Sequence, residues 1–359
     1  MSHPRHANQM RLSSKTAADV YKAISQRVIG QESAKRNLAT LLAMHLAWFS
    51  RADLAHTAPN ALVIGPTGVG KTHAIRTAAE ALKIPLVIVD ATRLSPPGYP
   101  GTSLEDILVE LVSASRQLRG EANAAQLEDL GLPEPDELEI ARRGVVFIDE
   151  FDKLSTTAGP TGERNELLQR RLLQFVDGTT VTLNPYLDRG EKEVRFETQG
   201  LMFIAAGAFT NLLEDAAKRP QERMRGMLEH DHVILEDLVR FGFMEELIAR
   251  LPVLIEFNSL ETTDLEQILK TEAVDPSLFY VRYLEALGTR LSITDDAREY
   301  IAKRAVELGI GARGLHQVLF PMLALLSQDI ESEPIDRFTL DAAQAKVLNR
   351  RVEACRNGR

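Results

Sequence analysis

The sequence predicts an α/β fold: a parallel β-sheet covered by helices, followed by a smaller, mainly helical C-terminal domain. Two observations carry this. Short apolar runs at 61–64, 86–89, 145–148 and 201–205 alternate with helical stretches, a pattern that lays strands parallel with crossover helices on both faces. From Asn258 onward the apolar residues fall three and four apart, at 265–269, 278–287, 297–308 and 315–326, which is the helical period.

In chain order, 1–15 is expected to be a disordered start and 16–257 the α/β domain. Residues 258–350 are expected to form the helical domain, and 351–359 a disordered tail. Helices are expected at 17–27 and 33–48. A fifth strand is expected at 251–255, after a proline-marked corner, and a short strand at 338–340. The stretch 121–140 holds seven carboxylates, two prolines and no Lys or Arg, and reads as a solvated surface loop. No internal repeat is visible.

Bulk properties bound the function. A chain of 359 residues accommodates two or three domains. With 44% hydrophobic residues and no unbroken apolar run of spanning length, a soluble globular protein without a membrane partner is expected. The first fifteen residues are polar, unlike a secretory signal. The single cysteine, Cys355, excludes an internal disulfide framework and a cysteine-cluster zinc site, so a cytoplasmic setting is expected. The net charge of −9 argues against a surface devoted to nucleic acid, without excluding a local basic patch. His3 and His6 read as part of a floppy terminus rather than a metal pair.

The most specific motif is Gly65-Pro66-Thr67-Gly68-Val69-Gly70-Lys71-Thr72, placed between the apolar run 61–64 and a helix-permissive stretch. That context makes it a phosphate-binding P-loop. Its glycines let backbone N–H groups curl around a phosphate, and the following helix points its positive end at the same anion. Pro66, Thr67, Gly68, Val69 and Gly70 form the cradle. Lys71 would reach the β- and γ-phosphates of ATP, and the Thr72 hydroxyl would sit on Mg²⁺.

The second motif is Gly144-Val145-Val146-Phe147-Ile148-Asp149-Glu150, a buried strand ending in two carboxylates. Alone, such a pair is as well explained by a helix start. Behind a P-loop, Asp149 is expected to hold the Mg²⁺ shell and Glu150 to polarise the attacking water.

Further residues follow in a fixed order: Val28-Ile29-Gly30-Gln31, the P-loop, Asp90-Ala91-Thr92, Gly98-Tyr99-Pro100-Gly101 and the strand ending at Asp149-Glu150. After them come Gly207-Ala208-Phe209, Phe241-Gly242, Ala249-Arg250-Leu251-Pro252-Val253 and Gly311-Ala312-Arg313-Gly314-Leu315. This series resembles the ClpX/HslU family of AAA+ protein unfoldases over nearly the whole chain. The resemblance implies the AAA+ P-loop NTPase fold with its lid, ATP hydrolysis with Mg²⁺, a hexameric homo-oligomer and a polypeptide substrate. It implies that Val28 and Ile29 contact adenine, although apolar anchoring of a helix start also explains them. It further implies that Arg250 is the arginine finger reaching a neighbouring subunit's nucleotide and that Arg313 is the sensor-2 arginine. A guanidinium suits both roles because its fork of donors matches phosphoryl oxygens.

By the same resemblance, Tyr99 and Pro100 form a loop that grips unfolded polypeptide in a central pore. The glycine- and proline-rich flanks also fit a plain turn. Pro100 stands where the family usually has valine and should stiffen the loop.

Four departures are apparent. No cysteine precedes Val28, so the family's N-terminal zinc domain is not expected. The Ile-Gly-Phe tripeptide that docks ClpX on its peptidase is absent from 210–236, which offers only Met224-Arg225-Gly226-Met227; a ClpP-type peptidase partner is therefore not expected. The basic pore-entrance loop is replaced by 184–193. At sensor 1, Ala205-Ala206-Gly207 has no polar side chain, and Thr210 and Asn211 are both left as substitutes. Besides an unfoldase, the residues admit an AAA+ ATPase acting on nucleic acid or an ATP-switched scaffold.

Overall fold

The computed structural model describes residues 16–50, 59–96, 98–121, 137–157, 161–183, 194–210, 212 and 235–356. His3, His6, Asn211, 184–193, Met224–Met227 and most of the acidic stretch lie outside them. Two compact units emerge. One holds the described residues up to Ile24, Ser33–Gly65 and Ala74–Glu256; the other holds Ser25–Glu32, Pro66–His73 and the chain from Phe257.

The first unit is built on a five-stranded sheet. In chain order its elements are α1 (Ala17–Ser25), α2 (Glu32–Ser50), β1 (Ala61–Ile64), α3 (Lys71–Leu82), β2 (Leu86–Asp90), α4 (Leu104–Glu121), α5 (Glu137–Ala141) and β3 (Val145–Asp149). Then come α6 (Gly162–Asp177), β4 (Thr180–Leu183), β5 (Val194–Glu197), β6 (Met202–Gly207), α7 (Leu235–Phe241), α8 (Glu245–Ala249) and β7 (Val253–Glu256). The strand order is β2-β3-β6-β1-β7, and every pairing is parallel. Strands β1 and β6 are buried along their whole length, which is why their sequences are unbroken apolar runs rather than alternating ones.

All five expected strands are present. The strand expected at 251–255 begins two residues later, because Pro252 cannot donate to a ladder. The antiparallel pair β4–β5 was not foreseen from sequence. Within 121–140 the loop expectation fails at its end. Residues 137–140 begin α5, where Ile140 and Ala141 are buried and Glu137 pairs with Arg116.

The second unit contains α9 (Thr262–Lys270), α10 (Ser277–Ala286), β8 (Arg290–Ile293), α11 (Asp295–Glu307), α12 (Arg313–Ser332), β9 (Arg337–Leu340) and α13 (Ala342–Arg356). Leu265, Ile301, Leu315, Leu319 and Met322 are buried at its centre. Strand β9 occupies the expected place and pairs in parallel with β8, which the helical periodicity concealed. The tail expected from 351 is instead helical to Arg356, because Val352 packs into this core.

Among the buried titratable groups of the first unit, His45 has its pKa shifted most by burial. His45 on α2 is 2% exposed, and its Nε2 donates to the Arg143 carbonyl at 2.9 Å. Burial is the main force holding its pKa down to about 4 from 6.5; the carbonyl bond opposes that shift and the Arg143 charge adds to it. An unfolded chain takes up this proton below about pH 6.5, the folded one only near pH 4. Stability is therefore lost as pH falls through that window, by about 3 kcal/mol. Urea unfolding between pH 7 and 4 should show this slope, and His45→Gln, whose amide can still donate to the carbonyl, should lack it.

Candidate nucleotide site

The parallel register brings three strand ends to one edge of the sheet. Ile64 pairs with Gly207 and Ile148 with Ala205, so the carboxyl ends of β1, β6 and β3 are adjacent. Gly65 extends β1 by donating its N–H to the Gly207 carbonyl. The phosphate loop leaves the sheet there, and α3 begins at Lys71 with no acidic residue in its first turn. A helix start without carboxylates favours an anion.

Within the second unit the loop packs on the start of α12. The Gly68 carbonyl accepts from the Ala312 N–H at 3.0 Å. Gly68 has φ +80°, and a Cβ there would stand 2.2 Å from the Ile310 carbonyl oxygen, so only glycine fits. Gly70 has φ +99°, with Val28 Cγ1 the nearest atom to a notional Cβ, at 3.5 Å. Lys71 Nζ donates to the Pro66 carbonyl at 2.8 Å, folding the lysine across its own loop. Arg313 is the first residue of α12 and is exposed.

The segment before α2 belongs to the same unit. Val28 is buried, and Ile29 packs against the helical core. Gln31, at φ +60°, clamps Asn258 in both directions: its Nε2 donates to the Asn258 carbonyl at 2.7 Å, and the Asn258 N–H donates to its Oε1 at 2.8 Å. The Val28 and Ile29 side chains are thus packed within this unit, which is compatible with either role expected of them. The backbone cradle with its lysine and hydroxyl makes a cationic, hard-oxygen set of the kind that suits the phosphates of a nucleotide.

In the first unit, Asp149 ends β3 and Glu150 follows in a left-handed conformation, φ 54° and ψ 32°. The Glu150 N–H donates to Asp149 Oδ1 at 2.9 Å. A non-glycine residue held in this region stores strain, of the kind found at working sites. Thr210 is exposed in this region of the chain, and Gly207 takes no side chain because a Cβ would stand 2.5 Å from the Phe209 ring and 2.7 Å from Asp152 Oδ1.

A buried network then carries the chain from Glu150 toward Arg250. Asp152 Oδ1 accepts from the Ala208 N–H at 3.2 Å. On α6, Asn165 Nδ2 donates to the carbonyls of Lys153 and Ser155. Gln169 Nε2 donates to the carbonyls of Leu154 and Gly242, and its Oε1 accepts from the Met244 N–H at 2.7 Å. Phe151 stacks on Phe243, with centroids 4.8 Å apart. Asp152, Asn165 and Gln169 were not singled out from sequence. The signal was there: Asn165, Leu168, Gln169 and Leu172 share one helical face, and polar residues on an apolar stripe need partners.

Tyr99 sits on a loop closed at its base. Ser95 N–H donates to the Thr102 carbonyl at 3.0 Å, Thr102 N–H donates to the Arg93 carbonyl at 2.9 Å, and Arg164 caps the Leu94 carbonyl. The Tyr99 ring is 55% exposed. Pro100 is exposed beside it, and Pro97 lies outside the described residues.

Comparisons with known proteins agree with this layout. A family model described as AAA domain (Cdc48 subfamily) matches residues 57–254. The ATP-dependent Clp protease ATP-binding subunit ClpX of Bacteroides thetaiotaomicron is 31% identical over 354 residues, covering 92% of this chain and 81% of that protein. The protein of the same description from Bacteroides fragilis strain YCH46 is 31% identical over 356 residues, with the same coverage.

The glycines make a test of the loop. Gly68→Ala must strain the backbone and move Ile310, and should lose most binding of a fluorescent ATP analogue along with about 1–3 kcal/mol of stability. Gly98→Ala, at φ +88° with nothing within 4 Å of the added carbon, should carry the backbone strain alone and bind the analogue normally.

Proposed function

This chain belongs to the AAA+ ATPase family as a ClpX-like member, and on that premise we propose that it is an ATP-driven protein unfoldase working as a hexamer. Membership makes it an ATP-hydrolysing P-loop enzyme. The observation that supports the unfoldase reading best is Tyr99: a large aromatic held out at the tip of a loop pinned at its base, between glycines. An aromatic ring offers sequence-tolerant contact to an extended polypeptide. The acidic chain favours protein over nucleic acid as substrate.

In this reading Lys71 exchanges the Pro66 carbonyl for phosphate oxygens, and the N–H groups of 67–70 hold the remaining charge. Thr72 and Asp149 would hold Mg²⁺, which when bound neutralises charge on the phosphates. Glu150, exposed at the strand end, takes the proton of the attacking water. Arg313 reads the nucleotide of its own subunit, and Arg250 serves that of the neighbour. Val28 and Ile29 cover the adenine.

The relatives are named as subunits of a protease. For this chain we favour work without a ClpP-type peptidase, on the missing Ile-Gly-Phe, and in the cytoplasm. No helix among the described residues is long and apolar enough to cross a membrane.

Steady-state ATP turnover should rise cooperatively with protein concentration and respond to unfolded polypeptide; a response to DNA alone would favour a nucleic-acid motor. Glu150→Gln should bind ATP yet hydrolyse it about 10²–10⁴-fold more slowly. Tyr99→Ala should keep ATPase activity and lose unfolding of a fluorescent-protein substrate. Retained unfolding would remove the loop from the mechanism.

A further inference from the structure

A finger that serves another subunit must be held in place, and arginine is long and flexible. Arg250 is fixed here at three levels. Its carbonyl accepts from Asn60 Nδ2 at 3.2 Å, while Asn60 Oδ1 accepts from the Phe203 N–H at 2.8 Å, tying the residue to β6. Its N–H closes the last turn of α8 on the Leu247 carbonyl. Its side chain, 59% exposed, makes one ion pair: Nε lies 2.6 Å from Asp177 Oδ1. Both residues of the pair line a cleft of about 290 Å³, together with Asn60, Gln199 and Pro252.

Resting on the finger reading above, the geometry points to Asp177 as a positioning residue for Arg250. Arginine has two edges that can take an acid, and the carboxylate grips only Nε. No other carboxylate among the described residues lies within 4 Å of this guanidinium, so both terminal amino groups are left for a phosphoryl group. Asp177 is itself well anchored. It is the last residue of α6, and Gly178 turns the chain there at φ +94° against Gln199. The same helix holds the segment leading to Arg250 through Gln169, which bonds Gly242 and Met244. One rigid helix thus grips both the path to the arginine and its head. An ion pair this exposed adds little to stability, so its loss should change the pose of Arg250 rather than the fold.

The test compares Arg250→Ala, Asp177→Ala, Asp177→Asn and the Asp177→Ala/Arg250→Ala double variant in the full chain. Turnover, KM for ATP, binding of a fluorescent ATP analogue and thermal melting are read for each. Removing Asp177 should lower kcat about 10²-fold, the scale of a misplaced reacting group, with KM, analogue binding and melting near native. The double variant should be no slower than Arg250→Ala alone. Mixed with Lys71→Ala subunits, which carry an intact Arg250 and Asp177 but a crippled phosphate loop, Asp177→Ala should regain turnover. A purely structural defect would not be rescued by mixing. Native or faster turnover in both Asp177 variants, or losses that multiply in the double variant, would overturn the proposal. If Arg250→Ala itself turns over normally, the finger reading falls first and takes this role of Asp177 with it.

Discussion

The parallel hydrogen-bond register of β1, β6 and β3 is the constraint on which the rest depends. Each strand is buried on both faces, so a slip of one residue would exchange every side chain between two packed layers. That locks the ends of the three strands together. The phosphate loop departs from the first, Gly207 ends the second, and Asp149 ends the third. Loops at such an edge are free of ladder obligations while their roots are not, which is why parallel sheets commonly place ligands there. Glu150 shows the boundary: one residue beyond the last ladder pair, the backbone is already left-handed.

Rigidity then passes outward from the sheet through α6. Its apolar side chains Leu168, Leu172 and Phe175 bury against the sheet layer, and that burial lets Asn165 and Gln169 reach carbonyls that would otherwise be stranded. An orphaned buried carbonyl costs about 1–3 kcal/mol, so each amide holds its loop in one position. The aromatic pairs Phe151–Phe243 and Phe209–Phe241 add about 0.5–1.5 kcal/mol each beyond their burial. The turn after Glu150 and the chain before Arg250 are therefore parts of one packed body.

The sequence showed what is local. Glycine spacing, unbroken apolar runs and helical periodicity marked the phosphate loop, all five sheet strands and four helices of the second unit, but not its last helix, Ala342–Arg356. What it hid is what depends on distant partners. Strand β8, four residues long with a polar Ser292, gains strand character only from β9. The pair β4–β5 exists for a similar reason. The clamp between Gln31 and Asn258 joins residues 227 positions apart, and Asn60 reaches Arg250 across 190. Asp177 carried no signal at all: an acidic residue at a helix C-terminus, unfavourable to the helix dipole, is ordinary until its partner is seen.

The grouping of Ser25–Glu32 and Pro66–His73 with the C-terminal helices has a further consequence. The chain leaves and rejoins the sheet-bearing unit at 24–25, 32–33, 65–66, 73–74 and 256–257. A unit woven in this way is not a cassette. Ending the chain after Glu256 would strip Gly68 of Ala312 and Gln31 of Asn258, leaving a phosphate loop with no floor. Gene fusion and domain shuffling, which exchange continuous segments, therefore have no clean place to cut.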